Sequence, residues 1–377
     1  MKKHLFFVAL AGIALAGCVK NEVETPETKR VKIGFASPVL YSNVDTKASV
    51  YGEIGSHKYE GIETTYTYPR EEEFMIFAVE HSGNLTKWDA ATPTDFNATA
   101  IAWNKSLDAW APLKDDGGFY YWPDNMQLSF AAMSPAELDV DGATTAYSSE
   151  GLVVNNFVVA DDPAQQYDLL YSDRSINKTA KDMKDYGADY YGGIPIMFQH
   201  ALTSIHFSLK TDATETVNLL GIQLKNVKNK GTFKENITNE TEFARNPQWT
   251  VADGSEVKSY TSFTGSIEFP LNPQYVSALA ALDGTDDNDV SHPLLMMPQA
   301  LGNDVVVEVK YEVGGEVKTR TVQLNQYPAT NPITTWEVGT KYTYRLVYSK
   351  EAQRNDIIYF SPETDVWANG GIIEVIL

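Results

Sequence analysis

Short apolar runs, each followed within a few residues by turn-forming residues, recur along almost the whole chain. Residues 74–79, 127–132 and 152–160 are examples, and prolines, glycines and aspartates separate such runs, as in Asp161-Asp-Pro163. Many short strands joined by frequent turns are typical of a β-sandwich or a β-barrel. No long apolar stripe with the 3.6-residue period of a helix is present. The sequence therefore predicts an all-β fold.

The chain is long enough for two such β-sandwiches. Its 377 residues exceed the usual size of one domain, and 43% of them are hydrophobic, which is enough for packed cores. Within the apolar run at residues 194–209, the buried side switches near residues 203–204. Phe198 lies on the face of the even-numbered residues, whereas Ile205 lies on the face of the odd-numbered ones. A bulge would cause this switch, and so would a strand that leaves one core and enters another. We expect two tandem domains, residues 48–195 and 196–377.

Two adjacent glycines predict a tight hairpin in the second half. Gly314 and Gly315 separate the strand-like residues 305–313 from residues 318–324. The favoured two-residue hairpin turn requires positive φ at both central positions, which glycine adopts without steric cost. These two runs are therefore expected to pair antiparallel.

The N-terminus has the pattern of an export signal. Lys2 and Lys3 precede an apolar run that is too short to span a bilayer and ends in Leu15-Ala-Gly-Cys18. This ending matches the bacterial lipobox, whose cysteine is acylated, with palmitate as an expected chain, and becomes the first mature residue. A buried cysteine behind an ordinary cleaved signal is the alternative. Since Cys18 is the single cysteine, an intramolecular disulfide framework is excluded. We predict a signal peptide at residues 1–17.

Residues 18–47 are expected to comprise a tether and a removable first strand. Residues 19–30 are polar and charged, as in a flexible linker. The residues after them have apolar side chains that alternate along one face of a strand: Val31, Ile33, Phe35, Val39 and Tyr41. A polar stretch that contains Lys47 follows, and a basic residue in an exposed loop is a suitable cleavage site for a trypsin-like protease.

The C-terminus also has the pattern of a strand. Ile373, Val375 and Leu377 share one face, and Gly370 and Gly371 precede them. One interpretation is a last core strand of its own domain. The other is a strand that is supplied to a neighbouring molecule. If the first strand leaves, an apolar strand from another subunit would fill the groove by donor-strand exchange, and such head-to-tail contacts would propagate a filament.

Several functional classes are disfavoured. The formal net charge of −20 argues against nucleic-acid binding. Phosphate-binding, dinucleotide-binding and Gly-x-Ser-x-Gly motifs are absent, so we expect neither an enzyme nor a cofactor. His200 and His206 lie six residues apart without an evident third ligand, so no metal site is expected. Tryptophans such as Trp88, Trp103 and Trp110 would serve either sugar binding or sandwich packing.

Four motifs occur in a fixed order across essentially the whole chain. They are the lipobox at Cys18, Gly118-Phe-Tyr-Tyr-Trp-Pro123 followed by Leu128-Ser-Phe-Ala-Ala132, Phe198-Gln-His-Ala-Leu202, and Trp336-Glu-Val-Gly-Thr-Lys-Tyr-Thr-Tyr344. In these motifs the chain resembles the fimbrillin family, the type V pilins of Bacteroidales. The resemblance implies two transthyretin-like β-sandwich domains. It also implies a lipoprotein precursor that is carried to the cell outer membrane and then assembled into an extracellular fimbrium.

The resemblance further implies processing and partners. A trypsin-like protease would cut between Lys47 and Ala48, although arginine is the more common residue there in the family; Arg30 is the competing site and Arg70 a third. Ile373, Val375 and Leu377 of the next subunit would replace the removed strand in a homopolymer that supports adhesion. The partners would be other fimbrial subunits, the protease and the membrane. A monomeric surface lipoprotein that binds glycans or host ligands is the alternative, and stalk, tip and anchor roles stay open.

Overall fold

The computed structural model describes residues 31–36, 38–42, 50–53, 58–59, 62–63, 68, 70–105, 109–138, 142–180, 193–211, 215–239, 244–269, 276–277, 290–328, 331–349 and 358–366. Strands dominate these residues, which confirms the predicted all-β fold. Short 3-10 helices occur at Trp88–Ala90, Pro163–Gln165 and Leu324–Gln326. Within the described ranges, no helix has the length and apolar character that crossing a bilayer requires.

The strands are numbered in chain order. They are β1 (Val39–Ser42), β2 (Val50–Glu53), β3 (Lys58–Tyr59), β4 (Ile62–Glu63), β5 (Phe74–His81), β6 (Thr92–Pro93), β7 (Thr99–Asn104), β8 (Ala109–Ala111), β9 (Gln127–Ser134), β10 (Thr144–Ser148), β11 (Gly151–Val158), β12 (Leu170–Ser172), β13 (Ser175–Lys178), β14 (Met197–His200), β15 (Thr203–Thr211), β16 (Val217–Lys228), β17 (Lys230–Lys234), β18 (Ile237–Asn239), β19 (Ala244–Arg245), β20 (Gln248–Val251), β21 (Val257–Glu268), β22 (Val276–Ser277), β23 (Val290–Ser291), β24 (Leu294–Met296), β25 (Val306–Val313), β26 (Glu316–Gln323), β27 (Thr340–Tyr348) and β28 (Ile358–Val366).

The largest sheet has the order β2-β1-β14-β12-β9-β5-β7-β8, with β13 also paired to β9 and β6 to β5. Both of its faces are covered, because successive residues of its central strands enter different apolar clusters. Phe74 and Ile76 of β5 belong to one cluster, whereas Phe77 and Val79 belong to the other. Alternation between two cores explains why β5 has an almost continuous apolar sequence rather than an alternating one.

A second sheet, β10-β11-β17-β20, packs against one face of the first. Phe77 stacks on Tyr147 with ring centroids 5.1 Å apart. Tyr171 contacts Phe233 across the same interface, also at 5.1 Å. These contacts join two sheets face to face, which is the arrangement of a β-sandwich.

The second half of the chain contains two further sheets, β22-β15-β27-β28, with β24 also paired to β15, and β23-β21-β16-β25-β26. Tyr311 of β25 contacts Tyr348 of β27, with ring centroids 5.8 Å apart. The predicted glycine hairpin is confirmed: Gly314 and Gly315 have φ values of 59° and 79°, and Val313 pairs with Glu316.

The switch in buried face near residues 203–204 coincides with a change of sheet. β14 ends at His200 in the ten-stranded sheet, and β15 begins at Thr203 in the sheet that contains β27. However, β17 and β20 come from after this point and join β10 and β11 from before it. One apolar cluster also continues through both halves. The domain boundary near residue 195 therefore stays a prediction.

Candidate functional site

Residues 31–36, here called the first segment, lie in a groove beside the ten-stranded sheet. Ile33 and Phe35 belong to the apolar cluster that contains Phe74 and Ile76. On one side the Phe35 N–H donates to the Trp110 carbonyl at 2.7 Å and the Ile33 N–H to the Tyr120 carbonyl at 2.9 Å. On the other side the Ile194 N–H donates to the Gly34 carbonyl at 2.9 Å. The segment therefore bridges two stretches of backbone that are far apart in sequence.

Two side chains of the first segment complete the apolar core around β5 and β9. Ile33 and Phe35 are 1% and 0% exposed. Phe35 also packs edge to face on Phe74, with ring centroids 6.2 Å apart. Burial of such a side chain contributes about 1.5–3 kcal/mol, so this segment is an integral part of the core. The assignment of Ile33 and Phe35 to a removable strand stays a prediction.

The groove accepts the first segment only at close range. A Cβ atom added to Gly193 would lie 2.2 Å from the Ala36 nitrogen and the Phe35 carbonyl carbon. Real Cβ atoms do not approach backbone so closely, so glycine is required at position 193 for the segment to lie where it does.

The first segment continues into β1, which is the link to the predicted cleavage site. β1 pairs in parallel with β14, where Val39 faces Met197, and antiparallel with β2, where Ser42 faces Val50. Residues 43–49, which include Lys47 and Ala48, lie outside the described residues, as do Arg30 and Cys18. Among the described strands, β2 pairs with β1 alone, so removal of β1 would leave β2 without a partner.

The other predicted site residues are located as follows. Val39 and Tyr41 lie in β1, and Val31 is half-buried beside the first segment's core. The predicted donor residues Ile373, Val375 and Leu377 lie outside the described residues. Arg70 is exposed, with its guanidinium 4.0 Å from the ring centroid of Trp103.

In the described structure, His200 and His206 have polar partners, and Trp88 and Trp110 are buried. His200 Nδ1 contacts the Asp168 carboxylate, and His206 Nε2 lies 2.8 Å from the Ser204 hydroxyl. Burial, with the nearby charge of Lys341, lowers the pKa of His206 to about 4. No cluster of three or more metal-ligating His, Cys, Asp or Glu side chains occurs among the described residues. Trp88 and Trp110 are buried in the two cores.

The structure contains a buried ionic cluster that the sequence patterns did not predict. Glu235 is buried, and its carboxylate accepts hydrogen bonds from the Leu152 N–H at 2.9 Å and from Arg245 at 3.0 Å. Arg245 also contacts Asp173. Glu235 lies two residues after the buried Phe233, and side chains two apart in a strand share a face. This spacing could have predicted that Glu235 points inward. The cluster ties the β17–β20 region to β11 and to the end of β12.

Comparison with known proteins identifies the family. A family described as fimbrillin-like matches residues 64–367. The crystal structure of a putative cell adhesion protein from Bacteroides uniformis ATCC 8492 is similar with a TM-score of 0.50 and 15% identity, over 91% of this chain and 99% of that chain. No curated protein matches the chain.

Two further solved structures are more distant. A putative cell adhesion protein from Bacteroides ovatus ATCC 8483 has a TM-score of 0.41 and 14% identity, over 92% of this chain and 100% of its own. A fimbrial protein from the same organism has a TM-score of 0.34 and 13% identity, over 84% of this chain and 48% of its own. The family match covers most of the sequence, and this chain therefore belongs to the fimbrillin-like family.

Proposed function

We propose that this protein is a structural subunit of a bacterial surface fimbria, that it supports adhesion, and that it polymerises by donor-strand exchange. The single observation that carries the proposal is the seating of the first segment. It is bonded through its backbone on both edges and fills the core with Ile33 and Phe35, yet it lies upstream of Lys47, the predicted cleavage site. The fimbrillin-like family and the fimbrial and adhesion proteins among its structural relatives support a pilus role rather than an enzymatic one.

Cleavage after Lys47 would open the groove. Removal of residues 31–36 would free the N–H groups of Trp110, Trp122 and Ile194 and the carbonyl groups of Trp110, Tyr120 and Ile194. It would also empty the sites of two buried apolar side chains. Unpaired backbone and vacated apolar sites together favour the binding of an extended strand, because each carries a free-energy cost when exposed.

The C-terminal residues 373–377 are the proposed donor. Ile373, Val375 and Leu377 alternate as Ile33 and Phe35 do, so they would supply side chains to one face of the groove. With a net charge of −20, subunits repel one another, and burial of apolar side chains must supply the driving force for association. Because the donor strand of one subunit would enter the groove of the next, the contact would propagate head to tail.

Export as a lipoprotein is the first step of the proposed pathway. Acylation of Cys18 would hold the precursor at the outer membrane, and cleavage at Lys47 would release the subunit into the extracellular fimbrium. Metabolic labelling with a palmitate analogue tests this step. Label is expected on the precursor, absent from Cys18→Ser and absent from the processed subunit; label on Cys18→Ser would refute acylation at this residue.

Purified precursor treated with trypsin tests polymerisation. We expect release of the N-terminal residues and SDS-resistant ladders on a gel, since inserted strands dissociate slowly. A variant that lacks residues 371–377 should be processed equally and form no ladder. A processed protein of residues 48–377 that stays monomeric would refute strand exchange, and ladders from the truncated variant would exclude this donor.

A further inference from the structure

A groove of about 520 Å³ lies where the ends of three strands, β11, β17 and β21, come together. This volume is within the range of small-molecule sites and accommodates one or two sugar rings. The groove is lined by Val158, Val159, Ala160, Asp161, Asn229, Lys230, Gly254, Glu256 and Lys258. None of these residues belongs to the groove of the first segment, so the two sites are separate.

Charged side chains are held in place along this groove. Lys258 donates from Nζ to Asp161 at 2.9 Å and to Glu256 at 2.7 Å. The two carboxylates are largely exposed, at 65% and 70%, so they retain oxygen lone pairs that face solvent. Lys230 lines the same groove, so two cations balance two anions there.

Asn229 supplies the second observation that points to a ligand. Asn229 is 6% exposed, and its backbone carbonyl accepts a hydrogen bond from the Val159 N–H at 2.8 Å, which fixes its position where the chain enters β17. Its Oδ1 is buried and has no hydrogen-bond partner among the described residues. A buried acceptor without a donor raises the free energy of the fold, and a donor from a bound ligand would remove this cost.

Tyr260 lies two residues after Lys258 on the same face of β21. It is fully buried, and its hydroxyl also lacks a hydrogen-bond partner among the described residues. Burial and the charge of Asp161 raise the pKa of Tyr260, so the phenol stays a neutral donor. A second unsatisfied polar group therefore lies near Asp161, although Tyr260 itself is not one of the residues that line the groove.

We infer that this groove binds a carbohydrate through its hydroxyl groups. Vicinal hydroxyls donate to carboxylates, which Asp161 and Glu256 present, and they accept from ammonium groups such as that of Lys258. The buried amide oxygen of Asn229 would accept from a further hydroxyl once its side chain turns toward the groove that it lines. A divalent cation fits poorly, because the Lys258 ammonium already lies between the two carboxylates. A free anion fits poorly, because the same two carboxylates repel it.

Saturation-transfer NMR on the purified protein tests the inference, with galactose, mannose, N-acetylglucosamine and N-acetylgalactosamine as probes, followed by an array of neutral oligosaccharides. We expect saturation transfer to at least one probe. Asn229→Leu should weaken its affinity roughly tenfold, as for loss of one buried hydrogen bond. The same variant should melt no lower than the parent, because it removes an unsatisfied acceptor.

Glu256→Gln is a second groove variant, for the case in which Asn229→Leu fails to fold. Its matched control is Glu316→Gln, an exposed carboxylate on the β25–β26 hairpin, and this control should bind the sugar as the parent does. Binding that is lost in Glu256→Gln and kept in Glu316→Gln supports the site. Absence of binding to every probe, or equal binding by both groove variants and the parent, would overturn it. Neither result depends on polymerisation.

Discussion

Phe35 packs edge to face against Phe130, with ring centroids 5.3 Å apart and ring planes at 89°. The pair joins the first segment to β9, a central strand of the ten-stranded sheet. Edge-to-face aromatic pairs contribute about 0.5–1.5 kcal/mol beyond the burial of their area. The precursor therefore holds its first segment by a core contact that the proposed cleavage would remove.

Phe35→Ala should destabilise the precursor by about 3–5 kcal/mol, because it leaves a cavity beside Phe74 and Phe130. Chemical denaturation of the uncleaved protein measures this loss. Lys32→Ala is the control, since Lys32 is exposed and its ammonium only contacts the Phe119 ring at 3.9 Å. The processed polymer should be unaffected by Phe35→Ala, because the residue has been discarded. Weakened polymer would show that the segment is retained.

Gly193→Ala should displace the first segment. The new Cβ would meet the backbone of Ala36 at 2.2 Å, and relief of such overpacking costs about 1–3 kcal/mol. A trypsin time course should therefore show faster cleavage of the precursor. Gly221→Ala is the matched control, because its Cβ would meet no atom nearer than 3.7 Å. Equal cleavage rates for the two variants would contradict the close seating of the segment.

Lys47→Gln should abolish both processing and ladder formation. A trypsin-like protease requires a cation before the cleaved bond, and glutamine removes it while keeping a polar side chain. Mass spectrometry of the processed N-terminus measures the outcome. Arg30→Gln should be processed and form ladders as the parent does. A cut after Arg30 would leave residues 31–41 in place, so it is not the cut that opens the groove. Normal ladders from Lys47→Gln would move the processing site elsewhere, with Arg70 as the next candidate.

The pH dependence of stability should differ between the parent and Glu235→Gln. Burial raises the pKa of Glu235 from 4.5 to about 7, despite the hydrogen bond from Leu152. The fold thus favours the protonated carboxyl, and the parent loses stability as the pH rises from about 4.5 to about 7. Glutamine does not titrate, so the difference in unfolding free energy between the two proteins should shift in favour of the variant over this window.

Urea denaturation at several pH values measures this difference. His206 titrates in both proteins, so its contribution cancels. A difference that stays constant between pH 4.5 and 7 would show that the fold does not raise the pKa of Glu235 above its ordinary value of 4.5.

Local pattern predicted much of the secondary structure. The apolar residues of 74–79 and 127–132 lie in β5 and β9, and Gly314-Gly315 forms the predicted hairpin turn. By contrast, the aromatic motif at residues 118–122 forms isolated bridges rather than a strand, such as Leu113 with Phe119 and Lys32 with Tyr121. Its aromatic residues pack around the first segment instead of forming a continuous ladder.

Side-chain alternation and turn chemistry act within a few residues, so the amino-acid sequence alone is enough to predict the all-β class. The export signal and the cleavable lysine remain predictions from local motifs. The contact of Phe35 with Phe130, the pairing of β17 with β11 and the place of Asn229 in a charged groove become visible only in the folded chain. Strand pairing depends on contacts between residues far apart in the chain, and periodicity does not encode which partner each strand selects.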